Sequence, residues 1–229
     1  MTLLYLNNIP GSNVGVVVEH RPRRPIPRRL SLSWDVPGRG KVSLLLDEWE
    51  NVTLSYELAV LPPPHTPLGA AVDAAVAWLQ QGDDMRLYDD TDPGVFYLVA
   101  YTGGQDLEDV LHRAKRVTVK FDARPQRFLL SGENVLTFTA PGSIVNPTIY
   151  PAKPFLTLHG SGAGTVTLGS ATLSAENVDG LTLDCETHRT GGNSGAVSGA
   201  WPTLSAGATA LSFSGGVTAV EIMPRWYAI

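Results

Sequence analysis

From Phe155 to Ile222 the chain reads as short apolar runs that alternate with polar residues and are cut by Gly, Ser and Asn. The runs are Phe155 to His159, Thr165 to Leu168, Thr172 to Ala175, Leu181 to Thr187, Ala210 to Phe213 and Val217 to Ile222. Between them, no segment carries apolar residues at helical spacing. A period of two puts successive side chains on opposite faces of a strand. Short strands joined by this turn chemistry close into antiparallel sandwiches or jelly rolls. The glycines of Gly160-Ser161-Gly162-Ala163-Gly164 precede a β-run, not a helix, so they predict a hairpin loop and not a phosphate cradle.

Upstream, the pattern is mixed. Arg21-Pro22-Arg23-Arg24-Pro25-Ile26-Pro27-Arg28-Arg29 holds three prolines, which forbid a helix and disfavour a central strand. Leu30-Ser31-Leu32-Ser33-Trp34 alternates, Asp35-Val36-Pro37-Gly38 turns, and strand-like Val42 to Leu46 follows. Val52 to Leu58, Met85 to Tyr88, Phe96 to Tyr101 and Val117 to Phe121 also read as strands. Pro67 to Gln81 predicts a helix, capped by Thr66, with Pro67 at its first position and Gly82 at its stop. Leu68, Ala71, Val72, Ala75, Val76 and Leu79 give it one buried face. A second, short helix is expected over 106–115. The fold expected is mainly β: a β-rich N-terminal domain with one or two helices, then an antiparallel β-sandwich.

Charge places the boundary. Residues 141–229 hold only Lys153, Arg189 and Arg225 against Glu176, Asp179, Asp184, Glu186 and Glu221. That shift, with the turn-rich Ala140-Pro141-Gly142-Ser143, predicts domains over 1–142 and 143–229. The formal net charge of −5 is unlike that of a dedicated nucleic-acid binder. The single cysteine, Cys185, closes no disulfide within the chain and reads as a small buried hydrophobe. Residues 1–20 lack the positive and apolar regions of a signal peptide. No apolar stretch nears the roughly 18 residues of a membrane-spanning helix.

Few residues invite chemistry. Asp90-Thr91-Asp92-Pro93-Gly94 resembles a calcium loop, but its twelfth position is Tyr101 and Pro93 intrudes, so a solvated turn is expected. Asp184 and Glu186 lie two apart, as paired carboxylates for glycoside hydrolysis would, yet Leu181, Leu183 and Cys185 claim the opposite face and leave the acids in solvent. The histidines His20, His65, His112, His159 and His188 are dispersed and form no ligand pair. No catalytic residue, metal site or cofactor is therefore expected. The strongest electrostatic feature is the set Arg21, Arg23, Arg24, Arg28 and Arg29. Without aromatics for base stacking, it reads as a stiff arm for acidic protein surfaces. The acidic residues Asp83, Asp84, Asp89, Asp90 and Asp92 of an adjacent copy are the expected counterpart.

The order of these features resembles the distal tail protein family of long, non-contractile-tailed bacteriophages (siphophages). The resemblance runs through the Arg- and Pro-rich arm into Val36-Pro37-Gly38-Arg39-Gly40, then Ala77-Trp78-Leu79, Leu87-Tyr88-Asp89-Asp90 and Val95-Phe96-Tyr97. It continues through Val119 to Pro125, Asn146-Pro147-Thr148 with Pro154, Leu181 to Glu186, Trp201-Pro202-Thr203-Leu204 and Ile222 to Trp226. What it implies is a non-enzymatic virion protein made in the host cytoplasm. Its N-terminal belt domain would assemble into a ring, usually a hexamer, joining the tail tube protein to the tail-tip hub protein. The tape measure protein and DNA would be partners in transit, and a galectin-like sandwich would hang outside. In that role the five arginines make subunit or tube contacts. The competing reading is a free carbohydrate-binding sandwich serving as a host-surface adhesin, with Trp201 and Trp226 as platform candidates; a small β-sandwich enzyme is a third.

Overall fold

The computed structural model describes residues 3–103, 108–109, 115–192 and 195–229. The chain divides into two compact units, one up to Arg127 and one from Phe128 to Ala228. The division falls inside the strand Lys115–Leu129, upstream of the 142/143 boundary expected from charge. The reason is local. Leu136–Phe138 pairs with Val220–Ile222, and Arg225 donates its backbone N–H to the Gly132 carbonyl, so residues 128–142 belong to the second core despite their composition.

The first unit is an antiparallel sheet covered by one helix. Its strands run in the order Ile9–Pro10, Leu4–Leu6, Met85–Asp89, Val95–Tyr101, Lys115–Leu129, Val52–Val60 and Val16–His20. Alternation and register agree: Val119 faces Tyr56, Phe121 faces Leu54 and Ala123 faces Val52, and all six are buried on one side. Burying side chains of this size stabilises by about 1.5–3 kcal/mol each before entropy is counted. The helix, Leu68–Leu79, packs on that side through Ala71, Ala75, Trp78 and Leu79. It differs from expectation at two points. Thr66 makes no cap, and Pro67 takes the N-cap position with no side-chain bond. Val76 stays exposed while Trp78 turns inward, because its indole N–H finds the Ile9 carbonyl at 2.9 Å. Of the expected second helix, Glu108–Asp109 is instead a short strand paired with Lys115 and Arg116, and its other residues up to Ala114 lie outside the described residues.

One pair of strands stands apart from this sheet. Among the described residues, Arg29–Val36 and Gly40–Trp49 pair only with each other, as a two-stranded ribbon. Its turn is closed by the Arg39 N–H on the Val36 carbonyl, with Gly38 and Gly40 in the left-handed region that glycine tolerates.

The second unit corrects the reading of the glycines. Phe155–Leu168 is one strand, and so is Gly207–Met223. They pair antiparallel along their length, with register shifts between His159 and Gly164. Gly164 thus lies opposite Gly215 and Gly160 opposite Val217, with the Gly160 backbone close against the Gly216 carbonyl, and the expected hairpin loop is a double bulge. Such bulges let a strand bend and pass from one layer to the other. On one side of the bend, Gly207–Met223 pairs with Gly142–Asn146, and Phe155–Leu168 pairs with Ala171–Ala175. On the other side their partners are Leu136–Phe138 and Leu181–Asp184. Leu168, Leu173 and Leu211 from the first half share one core with Leu156, Leu183 and Ile222 from the second. The sandwich is therefore one sheet folded at its glycines.

Among the described residues, no helix is long and apolar enough to cross a membrane.

Candidate assembly surface

Alternation around the tight turn makes the ribbon two-faced. Leu32 lies opposite Leu44 and Trp34 opposite Val42, all on one face. Ser33 opposite Ser43 and Asp35 opposite Lys41 occupy the other. The apolar face has no cover among the described residues: Leu32 is 54% exposed, Trp34 50% and Leu44 53%. An isolated two-stranded ribbon is marginally stable in water, and a clustered apolar face on it marks a contact surface. The sequence carried the signal in its period-two runs, but the same alternation fits a strand that buries its face at home.

The arm Arg21 to Arg28 leads into this ribbon without regular secondary structure. The structure separates its arginines. Arg21 is consumed within the chain: its Nη1 meets Asp89 Oδ1 at 3.0 Å and its Nη2 meets Asp90 Oδ1 at 2.8 Å. Asp90 also accepts the Leu3 backbone N–H, and this bond, then Arg21, holds its carboxyl below the usual range. Asp89 accepts the Tyr56 hydroxyl at 3.2 Å; burial first, then the Asp89 charge, pushes that phenol up. Arg29 donates from Nε to the Leu46 carbonyl at 2.7 Å and lies over the Trp49 ring. Arg23, Arg24 and Arg28 are exposed and make no ion pair among the described residues.

The acidic turn is not the free counterpart expected of it. Asp89 folds over Thr91, accepting from its N–H and hydroxyl, which closes a turn. Arg127 takes Asp92 at 3.1 Å, and Arg124 clasps Asp84 with bonds of 2.9 and 2.6 Å. Among the expected acidic partners, four are thus held by arginines of the same chain.

In the second unit the remaining candidates find structural partners. Asp184 is not in solvent: Arg225 Nη1 lies 2.8 Å from its Oδ1 and 3.8 Å from Glu186 Oε2. Burial pushes the Asp184 carboxyl up, but the Arg225 hydrogen bond, the Glu186 N–H and the Arg225 charge outweigh it and hold the group low. Cys185 is buried, and loss of hydration, then the Asp184 charge, pushes its thiol up to about 12. Trp201 stacks against His188 with ring centres 5.1 Å apart, and Trp226 is buried, so neither is an open sugar platform. His20 pairs with Glu57 and His159 with Glu221, while His112 lies outside the described residues. Among the described residues no group of three His, Cys, Asp or Glu is placed to hold a metal.

The helix-covered sheet with its separate ribbon, followed by a folded-over sandwich, is a fold also seen in solved phage hub and baseplate proteins. The whole chain superposes on the whole of SPP1 Dit, described as a paradigm of the hub adsorption apparatus in phages infecting Gram-positive bacteria, with a TM-score of 0.72 and 13% identity. It also matches chains of the phage P2 baseplate in its activated conformation with calcium, TM-score 0.54, 8% identity and 97% of both chains covered. The strontium form of that baseplate gives 0.53, 9% and 96% of both chains. No protein-family profile and no curated protein sequence matches the chain.

Proposed function

We propose that this protein is a non-enzymatic structural component of a phage tail. Its first unit assembles into a ring, six copies by analogy, that joins the tail tube to the tip hub and leaves a channel for DNA. The observation that carries this reading is the uncovered apolar face of the ribbon. Among the described residues, a single copy has no strand or helix over Leu32, Trp34, Val42 and Leu44, whereas a neighbouring copy in a ring would cover them. The shared fold with hub and baseplate proteins supports the same place in the virion, at the distal end of the tail.

Light scattering and negative-stain microscopy at tens of micromolar test the proposal. Rings are expected from the intact chain, alone or with tube and hub proteins added. A persistent monomer under all these conditions overturns it. The double variant Leu32→Ser, Leu44→Ser should lose assembly while keeping its melting transition, because both side chains are already half exposed in one copy.

A further inference from the structure

Beside the base of the ribbon, the first unit holds an open groove of about 520 Å³, within the range of clefts that bind ligands or peptide segments. Leu98, Ala100 and Trp49 supply apolar lining, and Glu48, Asp84 and Asp122 supply carboxylates. Arg124 is the one cation in the lining, and it is bound to Asp84. Asp122 accepts from Asn51 Nδ2 at 2.8 Å, and Glu48 is exposed with no ion pair among the described residues. The groove thus sets a few apolar side chains in a mainly polar lining that is acidic in balance, with three carboxylates against one guanidinium.

The same chain carries a segment of the opposite character. Ile26 is 90% exposed, set between Pro25 and Pro27, with Arg23, Arg24 and Arg28 exposed around it. Prolines hold such a segment extended before it binds, so little conformational freedom is lost on docking. An apolar knob in a basic collar fits an acidic groove that offers it Trp49, Leu98 and Ala100. The acidic turn cannot serve as its acceptor, because Arg21 and Arg127 already hold Asp89, Asp90 and Asp92.

We propose that the groove receives the Arg23–Arg28 segment of a second copy. This rests on the ring reading above and deepens it by naming the two patches that meet. Donor and acceptor are different surfaces of one chain, so each copy gives one segment and receives one. Such a head-to-tail contact repeats until it closes on itself. Arg21 and Arg29, fixed at home, anchor the two ends of the segment that is handed over.

The test is a cross-link between copies of the full chain. Ile26→Cys and Ala100→Cys are prepared separately, mixed and exposed to a mild oxidant; Leu98→Cys gives a second position in the groove. The native Cys185 is buried and stays silent. The mixture should yield a band at twice the chain mass that neither variant gives alone, and the chain carrying both cysteines should yield a ladder of covalent multimers. Rings in the microscope without that band overturn the docking and leave the ring standing. Monomers with no band overturn both. An internal cross-link in a monomeric double variant places the segment in its own groove and also overturns the proposal.

Discussion

At the scale of the residue, the chain keeps its charges in short intramolecular exchanges. Arg225 is the clearest case. Its backbone sits in the left-handed region at φ 58°, its N–H bonds the Gly132 carbonyl, its guanidinium holds Asp184 and it lies over Phe155 at 5.4 Å. Arg225→Ala should cost about 1–3 kcal/mol, the range for a partly buried hydrogen bond to a charged group. A pH series separates this from lost packing. The folded Asp184 carboxyl lies below its ordinary 3.8, so its stabilising effect is full above that value and is lost as pH falls through the folded value. The gap between native and variant urea midpoints should be wide at pH 7 and should narrow as pH falls through the folded value; a constant gap would exclude the ion pair as the cause. These partners were hidden in the sequence. The arginines of the arm stood out there, but Arg21 and Asp90 lie 69 positions apart, and only the sheet brings them together.

At the scale of the element, local signals succeeded where a segment's fate is decided locally. Pro67 and Gly82 bracket the helix, and its apolar spacing marks most of its buried face. Trp78 was missed because its hydrogen-bond acceptor comes from a distant strand. The glycines of 160–164 misled for a related reason: a run of glycines turns or bulges according to what lies beside it, and Gly215 and Gly216 are far along the chain. The bulge makes a sharp prediction. Gly160 has φ 147°, and a Cβ there would collide with the Gly216 carbonyl. Gly162 has φ 72° with open space around it. Gly160→Ala should destabilise the sandwich by about 3 kcal/mol or more, and Gly162→Ala by only about 1–2 kcal/mol. Chemical denaturation of the two variants decides it; equal losses would mean that strain alone, without the close approach, sets the cost.

At the scale of the whole molecule, the mainly β, two-unit plan was legible, and so was the resemblance to distal tail proteins. Composition misplaced the seam, because residues 128–142 carry the chemistry of one unit and the contacts of the other. A fragment of residues 128–229 should therefore melt cooperatively at a higher urea midpoint than one of 143–229. The shorter piece lacks the Leu136–Phe138 strand and the Leu129 N–H bond to the Trp226 carbonyl. Matching midpoints would show that 128–142 adds nothing.

The strand Gly207–Met223 also sets a timetable. It is the shared partner of Leu136–Phe138, Gly142–Asn146 and Phe155–Leu168, and it follows all three in the chain. During synthesis those strands must wait, unpaired on the side it will fill, until it leaves the ribosome. Pairings between residues so distant in sequence form slowly, and waiting edges are where chains of neighbouring ribosomes can join wrongly. The second unit thus commits late, and for that interval its edges stand open to mispairing.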